Sequence, residues 1–332
     1  MKILIAPPDN LTFARYFPVE SVERLRGFGE VERNPFDRSF TAEELRERIS
    51  DVDILLAHWG TPKIDETILD HAPRLRLVAH AAGSVTNIAS EALFQREIPV
   101  VSANPVMARY VAESVFGYMI AGTHRFTQTD GILRSGGWDK LEGEHRSLYG
   151  ERIGLIGLGA VGRALLDLLA SFHCHVSVYD PYLPEDALAK WNFAVRCDFE
   201  TAMNNPVVSV HASKTPETYH MIDKKALALL PRGAVLINSA RGSLIDTKAL
   251  IAALKEKKLY AVLDVYEKEG AGNLDKELLA LTDDTLLQPH AAAIAAGAQM
   301  TEAIIDDIGR FVRGEPLQMR VGYRQFRLMT QE

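Results

Sequence analysis

The amino-acid sequence predicts an α/β fold built from two doubly wound parallel sheets. Short apolar runs alternate with helix-length amphipathic segments along all 332 residues, a pattern typical of βαβ units. The runs are continuously apolar, as expected for parallel strands that are buried on both faces. A chain of this length also has room for roughly two domains.

Ten apolar runs are expected to be strands, more than one doubly wound sheet would hold comfortably. Four of them precede residue 103 and six follow residue 150. The runs cover residues 2–6, 53–57, 75–80, 98–102, 152–157, 175–180, 206–211, 233–238, 260–265 and 285–288. Two separate sheets are therefore expected.

Two long helix candidates, residues 105–126 and 291–313, accompany these two groups of strands. In the simplest arrangement the chain crosses into a second domain near residue 103 and returns near residue 291. The sequence thus predicts a discontinuous first domain, residues 1–102 plus 291–332, and a second domain of residues 103–290.

Local signals indicate two further helices. Thr41 is followed three residues later by Glu44, which is the spacing of a capping box at a helix start. In residues 161–172, apolar side chains recur at helical spacing and are expected to form one stripe that faces a sheet. This stripe consists of Val161, Leu165, Leu168, Leu169 and Phe172.

The charge balance argues against polyanionic partners. The chain has 37 basic and 44 acidic residues and a net charge of −7, whereas nucleic acids and anionic membranes attract basic surfaces. We therefore expect neither a nucleic acid nor a membrane as a partner. The first apolar run is too short for a signal peptide or a membrane span, and it predicts a first buried strand.

Cysteine usage favours a reducing compartment. Cys174 and Cys197 are the two cysteines of the chain, too few for a disulfide framework and not spaced as metal ligands are. The sequence therefore predicts a cytoplasmic protein without a metal site.

A glycine motif indicates a dinucleotide site. Gly157, Gly159 and Gly162 follow the G-x-G-x-x-G spacing, after an apolar run and at the start of an amphipathic segment. The first glycine would permit a tight turn, the second would let a pyrophosphate approach the backbone, and the third would let the helix pack closely. The helix N-terminus would then offer free N–H groups to the phosphates.

An acidic residue at the end of the next strand predicts the cofactor. Asp180 stands 18 residues after Gly162, where a carboxylate can accept hydrogen bonds from both ribose hydroxyls and would repel a 2′-phosphate. Pro181 and Tyr182 follow, so no arginine stands there to bind such a phosphate. NAD is therefore expected in preference to NADP.

Three further polar residues follow predicted strands of the second domain. Arg241, Glu269 and His290 come after the runs that end at residues 238, 265 and 288, and ligands of parallel α/β sheets bind beyond that edge. A guanidinium can hold the carboxylate of a 2-oxo acid, and an imidazole can protonate its carbonyl oxygen. A carboxylate can orient that imidazole. Taken singly, each residue could equally be an exposed or capping residue.

These motifs resemble those of the D-isomer-specific 2-hydroxyacid dehydrogenase family. The resemblance covers nearly the whole chain and is most specific in "GERIGLIGLGAVGRALL", "VVSVHASKTPET", "LLPRGAVLINSARGSLIDTKALIAAL", "AVLDVYEKE" and "LLQPH". It implies a flavodoxin-like substrate domain, a Rossmann NAD-binding domain with a cleft between them, and a homodimer that forms through the nucleotide domain. It also implies that the partner molecule is a small 2-oxo or 2-hydroxy acid.

The resemblance assigns roles to individual residues. Arg241, Glu269 and His290 match the family's catalytic arginine, glutamate and histidine, and Arg241 also binds the substrate. The remaining implied cofactor contacts, beside the three motif glycines, Arg241 and His290, are Ala160, Val161, Asp180, His211, Ala212, Ser213, Ser239, Ala240, Asp264 and Ala293. For His211 a purely structural place at the edge of the core is an equally good interpretation.

The implied substrate contacts of the first domain are Trp59, Gly83 and Ser84. The amides of Gly83 and Ser84 would help to hold the substrate carboxylate, because small residues permit close backbone approach. Trp59 would cover the substrate side chain, although a partly buried packing role fits it equally well.

Several departures from the family pattern leave the substrate open. Thr86 replaces the usual aspartate, Ser213 and Lys214 replace a Pro-Leu pair, and Gln288 replaces a common threonine. The sequence favours an NAD-dependent 2-hydroxyacid dehydrogenase. A short phosphoglycerate dehydrogenase and a non-catalytic, NAD-sensing corepressor remain as alternatives, whereas a formate dehydrogenase would carry glutamine in place of Glu269.

Overall fold

The computed structural model describes residues 1–142, 144–256 and 259–330. Its strands are β1 Lys2–Ile5, β2 Glu30–Arg33, β3 Ile54–Ala57, β4 Leu77–His80, β5 Val100–Ser102, β6 Arg152–Ile156, β7 His175–Tyr179, β8 Ala194–Arg196, β9 Val207–Val210, β10 Ala234–Asn238, β11 Leu259–Leu263 and β12 Thr285–Leu287. All ten predicted strands are among them.

Helices occupy most of the segments between these strands. They are α1 Leu11–Tyr16, α2 Val19–Arg26, α3 Ala42–Arg48, α4 Glu66–Leu69, α5 Glu91–Gln95, α6 Asn104–Thr123, α7 Phe126–Arg134, α8 Ala160–Leu169, α9 Phe199–Met203, α10 Lys224–Ala228, α11 Thr247–Lys255, α12 Lys276–Leu279, α13 Gly297–Arg313 and α14 Tyr323–Leu328. No helix in the described ranges is both long and apolar enough to span a membrane.

The chain divides into two compact units. Unit 1 comprises residues 1–108 and 294–332, and unit 2 comprises residues 109–293. The domain boundaries expected from the sequence, at residues 102/103 and 290/291, remain a prediction about independently folding domains.

The sheet of unit 1 has the strand order β2-β1-β3-β4-β5, and all its ladders are parallel. Strands β3 and β4 are buried at every position, as the apolar runs predicted. Strand β2, Glu30–Arg33, was not expected from the sequence because it reads "EVER". It is an edge strand that pairs with β1 alone, so its side chains can remain polar.

The sheet of unit 2 has the strand order β12-β11-β10-β9-β6-β7-β8 and is also entirely parallel. Successive strands run outward from β6 in one direction and from β9 in the other. Such a reversal is a topological switch point, where the two outgoing loops leave a crevice. The short edge strand β8, Ala194–Arg196, was missed because two of its three side chains are exposed.

Helix α8 packs on this sheet with a somewhat different stripe from the predicted one. Its buried residues are Gly162, Leu165, Leu166 and Leu169, which follow the i, i+3, i+4, i+7 spacing. Leu168 was wrongly placed in the stripe, since it is 40% exposed. The capping box at Thr41 and Glu44 is confirmed at the start of α3.

The last long helix begins later than predicted. Residues 291–293 are not helical, a 3₁₀ turn covers Ile294–Ala296, and α13 starts at Gly297. The expectation that the alanines after His290 open the helix was therefore wrong. The reason is a long-range contact: the amides of Ala291 and Ala292 donate hydrogen bonds to the carboxylate of Asp264, which fixes this segment in a different conformation.

Two buried histidines lie at the carboxyl ends of β3 and β4. His58 is 4% exposed and His80 is 1% exposed. Burial lowers the pKa of His58 to about 4 and, with a smaller contribution from His58, that of His80 to about 3. Both imidazoles are therefore neutral in the folded protein near pH 7.

We expect these histidines to make unit 1 sensitive to acid. In the unfolded chain a histidine titrates near its ordinary pKa of about 6.5. Below that pH the unfolded state therefore binds protons that the folded state does not bind. The free energy of unfolding should keep its full value above pH 6.5. As the pH drops to 4, it should fall by on the order of 3 kcal/mol per histidine. Thermal unfolding at constant ionic strength across this range measures it.

The matched variant is His80→Leu, which removes one of the two titrating rings. We expect its melting temperature to fall less steeply with decreasing pH than that of the unsubstituted protein. Equal pH dependence of the two proteins would contradict the role assigned to His80.

Candidate active site

The glycine loop between β6 and α8 lies at the switch point of the unit 2 sheet. Gly157 has φ +93°, a left-handed conformation that favours glycine. A Cβ atom there would lie 2.7 Å from the amide nitrogen of Ala212, so the loop and the segment after β9 pack backbone against backbone. Gly157 and Ala212, each predicted to contact the cofactor, are thus brought together.

The next glycine faces open space. A Cβ at Gly159 would meet no atom within 4 Å among the described residues. Gly159 is the N-cap residue of α8, and it has no side chain to cover the start of that helix. Helix α8 begins at Ala160, so Ala160 and Val161 lie in its first turn. The first-turn amides and the space beside Gly159 fit a dinucleotide pyrophosphate, which needs free N–H donors and close backbone approach.

Asp180 stands beside this loop. One carboxylate oxygen accepts a hydrogen bond from the amide of Leu158 at 2.9 Å, and the other accepts from the amide of Tyr182 at 2.9 Å. The two amides fix the carboxylate and leave further lone pairs on both oxygens. The predicted contact of Asp180 to the ribose hydroxyls of NAD remains a prediction.

Asp180→Ala is expected to weaken NAD binding about tenfold and NADP binding much less. The variant loses the hydrogen bonds to the ribose hydroxyls, whereas for NADP it also loses a repulsive charge. Dissociation constants for both dinucleotides, measured by fluorescence titration, give the ratio. Asp180→Asn, which removes the charge but keeps an acceptor for one of the two neighbouring amides, separates this effect from local disorder. An unchanged NAD-to-NADP ratio in both variants would refute the assignment.

Two polar atoms at the same edge of the sheet are buried without a partner. The Nε2 atom of His211 and the Oγ atom of Ser239 make no hydrogen bond to any described residue. Burial lowers the pKa of His211 to about 4, so its ring is a neutral donor or acceptor near pH 7. Both atoms could serve a bound cofactor, as predicted. The backbone of the neighbouring Ser213 accepts a hydrogen bond from Thr218.

Asn238 shapes the loop that carries Arg241. Its side-chain nitrogen donates to the carbonyl of Arg241 at 2.9 Å, and its oxygen accepts from the amide of Ala240 at 3.1 Å. Arg241 in turn donates from Nη1 to the carbonyl of Ala240. Asn238 was not expected from the sequence, although a polar residue at the end of an otherwise apolar strand was a usable signal.

His290 and Glu269 lie in contact, as the sequence predicted. Nδ1 of His290 is 2.9 Å from Oε2 of Glu269, and their side chains are 48% and 42% exposed. The amide of Tyr266 donates to the other oxygen of Glu269 at 3.3 Å. Since Nδ1 is engaged by the carboxylate, Nε2 is the atom left to meet a substrate.

Asp264 holds the chain on the far side of His290. The carboxylate of Asp264 is buried and accepts from the amides of Ala291 at 2.8 Å and Ala292 at 3.1 Å, and from the hydroxyl of Tyr118 at 3.3 Å. The structure thus gives Asp264 a role in fixing the segment after His290. The predicted cofactor contacts of Asp264 and Ala293 remain predictions.

Tyr266 fixes the chain just before His290, and this role was not expected from the sequence. Its hydroxyl lies 3.1 Å from the carbonyl oxygen of Leu263 and 2.9 Å from that of Gln288. Burial raises the pKa of Tyr266 to about 12, so the hydroxyl keeps its proton and acts as a donor. A tyrosine two residues after a buried aspartate carries no distinctive sequence signal.

The three predicted substrate residues belong to unit 1. Trp59 is 45% exposed and lies in a turn, where its ring contacts those of His58 at 4.5 Å and Tyr16 at 5.6 Å. A Cβ at Gly83 would be 2.3 Å from Cε of Met107, so glycine fits this crowded position. The hydroxyl of Ser84 contacts that of Thr86 at 3.0 Å. The substrate roles of these residues remain predictions.

Comparisons with known proteins show which family and which relatives the chain resembles. The family model of the "D-isomer specific 2-hydroxyacid dehydrogenase, NAD binding domain" matches residues 116–292. D-3-phosphoglycerate dehydrogenase of Methanocaldococcus jannaschii is 34% identical over 319 residues, 95% of this chain but only 58% of that enzyme. Glyoxylate reductase of Thermococcus litoralis is 32% identical over 316 residues, 91% of this chain and 93% of that enzyme.

The fold is likewise shared with solved structures. The PH0520 protein of Pyrococcus horikoshii matches with a TM-score of 0.80 at 24% identity, over 98% of this chain and 96% of that one.

Proposed function

The chain belongs to the D-isomer-specific 2-hydroxyacid dehydrogenase family, and on that premise we propose that it reduces a small 2-oxo acid to the D-2-hydroxy acid, and catalyses the reverse oxidation, with NAD(H). The observation that carries this proposal is the His290–Glu269 pair, which follows β12 and β11 of the sheet whose switch point carries the glycine loop. Glyoxylate and hydroxypyruvate are the substrates we would test first.

The residues that would hold NAD are those of the glycine loop, the first turn of α8 and Asp180. When bound, the cofactor supplies the hydride that reaches the carbonyl carbon. His290 supplies the proton: with Nδ1 bound to Glu269, a protonated imidazole presents Nε2–H to the carbonyl oxygen. In the oxidation direction the same nitrogen accepts the proton of the hydroxyl group. Glu269 fixes the ring and stabilises its positive charge.

Arg241 is the residue proposed to bind the substrate carboxylate. A guanidinium offers two parallel N–H donors to a carboxylate and keeps its charge at any working pH. The Asn238 hydrogen bonds hold the backbone of this loop, so the position of the arginine is set before substrate arrives. Such preorganisation favours the transition state over the free substrate.

The test is to follow NADH absorbance with glyoxylate, hydroxypyruvate and 3-phosphohydroxypyruvate, using His290→Ala as the control. Turnover with the first two supports the proposal. Preference for the phosphorylated acid would instead indicate a phosphoglycerate dehydrogenase, a second candidate favoured by the relative that is 34% identical over 95% of the chain. Tight NADH binding without any turnover would indicate an NAD-sensing binding protein.

We further propose that the protein is a homodimer in the cytoplasm. The support is an exposed apolar segment in unit 2: Phe126, Leu133, Trp138 and Tyr149 are 52%, 55%, 84% and 67% exposed. Such a concentration of exposed apolar side chains is typical of an interaction surface. Light scattering measures the mass, and a Trp138→Glu, Leu133→Glu variant that stays dimeric would exclude this surface.

The support for the cytoplasm is the cysteines: the two free thiols, Cys174 and Cys197, fit a reducing compartment.

A further inference from the structure

A second glutamate–histidine pair lies in the same loop as Glu269. Oε1 of Glu267 contacts Nε2 of His220, and its Oε2 accepts a hydrogen bond from the hydroxyl of Thr247 at 2.9 Å. The side chains of Glu267 and His220 are each 28% exposed. Both carboxylate oxygens of Glu267 are therefore engaged by side chains from two other segments of unit 2.

The partners of Glu267 are themselves held in place. His220 has φ +52°, its amide donates to the carbonyl of Ser243 at 2.8 Å, and its ring stacks on that of Tyr219 with centroids 4.0 Å apart. Thr247 is the first residue of α11. The pair therefore connects the loop after β11 to both ends of the segment 243–247.

The same two loops also touch through their backbones. A Cβ atom at Gly242 would lie 1.9 Å from the carbonyl carbon of Tyr266 and 2.3 Å from the amide nitrogen of Glu267. Only a glycine permits this approach. Arg241 precedes Gly242, and Glu269 follows Glu267 by two residues, so the contact joins the loops that carry both candidate catalytic groups.

We propose that Glu267 is a positioning residue, which, with His220 and Thr247, fixes the loop that presents Glu269 to His290. This inference rests on the proposed function, since it assigns Glu267 to the acid–base pair of that reaction. Among the described residues, the ring of His220 and the hydroxyl of Thr247 bind the carboxylate of Glu267 and attach this loop to two other segments of unit 2. Without the Glu267 contacts, the loop keeps the Tyr266 anchor and the backbone contact with Gly242 but loses its side-chain attachment to His220 and Thr247.

The expected effect follows from geometry. A displacement of about 1 Å at a catalytic group can cost up to a hundredfold in rate, and Glu269 would move with its loop. We expect Glu267→Ala to lower kcat between ten- and a hundredfold and to change KM for NADH less than twofold. Glu267→Gln, which can still bond Thr247 and His220, should recover most of the activity. Lys268→Ala, an exposed neighbour in the same loop, is the control and should behave as the unsubstituted enzyme.

A double substitution separates positioning from general loss of structure. If Glu267 acts through Glu269, then Glu267→Ala should have less than a twofold further effect in a Glu269→Gln background, because the contact it supports is already altered. Equal factors in both backgrounds would show independent action and overturn the proposal. So would full activity of Glu267→Ala at an unchanged melting temperature.

A measurement without turnover completes the test. In histidine side-chain NMR spectra, the Nδ1 signals of His290 are identified by their loss in His290→Ala. We expect Glu267→Ala to shift or broaden these signals and Lys268→Ala to leave them in place. Unchanged His290 signals in Glu267→Ala would overturn the positioning role. If the unsubstituted protein reduces no 2-oxo acid, the proposed function fails, and the NMR result alone then decides whether Glu267 orients the pair.

Discussion

His290→Ala is expected to lower kcat for reduction of a 2-oxo acid by about three orders of magnitude, within the range for loss of a general acid. The variant has no group that can deliver a proton to the carbonyl oxygen. NADH affinity should stay within about twofold, because the glycine loop and Asp180 account for most of the proposed binding. Stopped-flow absorbance gives the rate, and fluorescence titration gives the affinity.

The control for this experiment is His71→Ala, because His71 is an exposed histidine of unit 1 for which we propose no catalytic role. It should leave kcat unchanged. Substantial activity of His290→Ala, above a few per cent, would refute the acid–base assignment. A large loss of NADH affinity would show instead that His290 acts mainly in cofactor binding.

Arg241→Lys is expected to lower kcat/KM for the 2-oxo acid by about two orders of magnitude. Lysine keeps the charge but cannot make the paired, planar hydrogen bonds that a guanidinium makes to a carboxylate. Loss of one charge-assisted hydrogen bond costs about 1.5–3 kcal/mol, which corresponds to this factor. Most of the loss should appear in KM for the acid, while KM for NADH changes little.

Steady-state kinetics with varied acid and fixed NADH measure the effect, and Arg232→Lys provides the matched control. Arg232 is exposed, and we assign it no role in the site. Equal KM values for the acid in Arg241→Lys and the unsubstituted enzyme would mean that another group binds the carboxylate.

The parts of the fold that sequence could predict are those in which burial is complete. Strands such as β3 and β10 are apolar at nearly every position because helices cover both faces of the sheet. The edge strands β2 and β8 were missed because an edge position requires fewer apolar residues. The start of α13 was misplaced because the amides of Ala291 and Ala292 bond a side chain 27 and 28 residues away. A distant partner of this kind leaves no local periodicity.

The same distinction between local signals and long-range contacts applies to the residues of the candidate site. The glycine loop, Asp180, Arg241, Glu269 and His290 could be predicted because their spacing and their places after strands are local properties. Tyr266 and Glu267 could not, since each acts through contacts between separate segments. Asn238 acts within its own loop, and its polar side chain at the end of an apolar strand was a signal that was overlooked. Glu267 in particular lies in a charged turn, where sequence alone suggests a solvated side chain.

The backbone conformation at position 290 constrains the redesign of this protein. His290 has φ +54°, a conformation in which glycine is more stable than a residue with a Cβ atom, by on the order of 1 kcal/mol. A stability-guided design would therefore favour glycine there and would remove the imidazole in doing so. Thermostabilising libraries should hold position 290 fixed and seek their gains elsewhere. Here the proposed catalytic role and the conformational preference of the backbone oppose each other in a single residue.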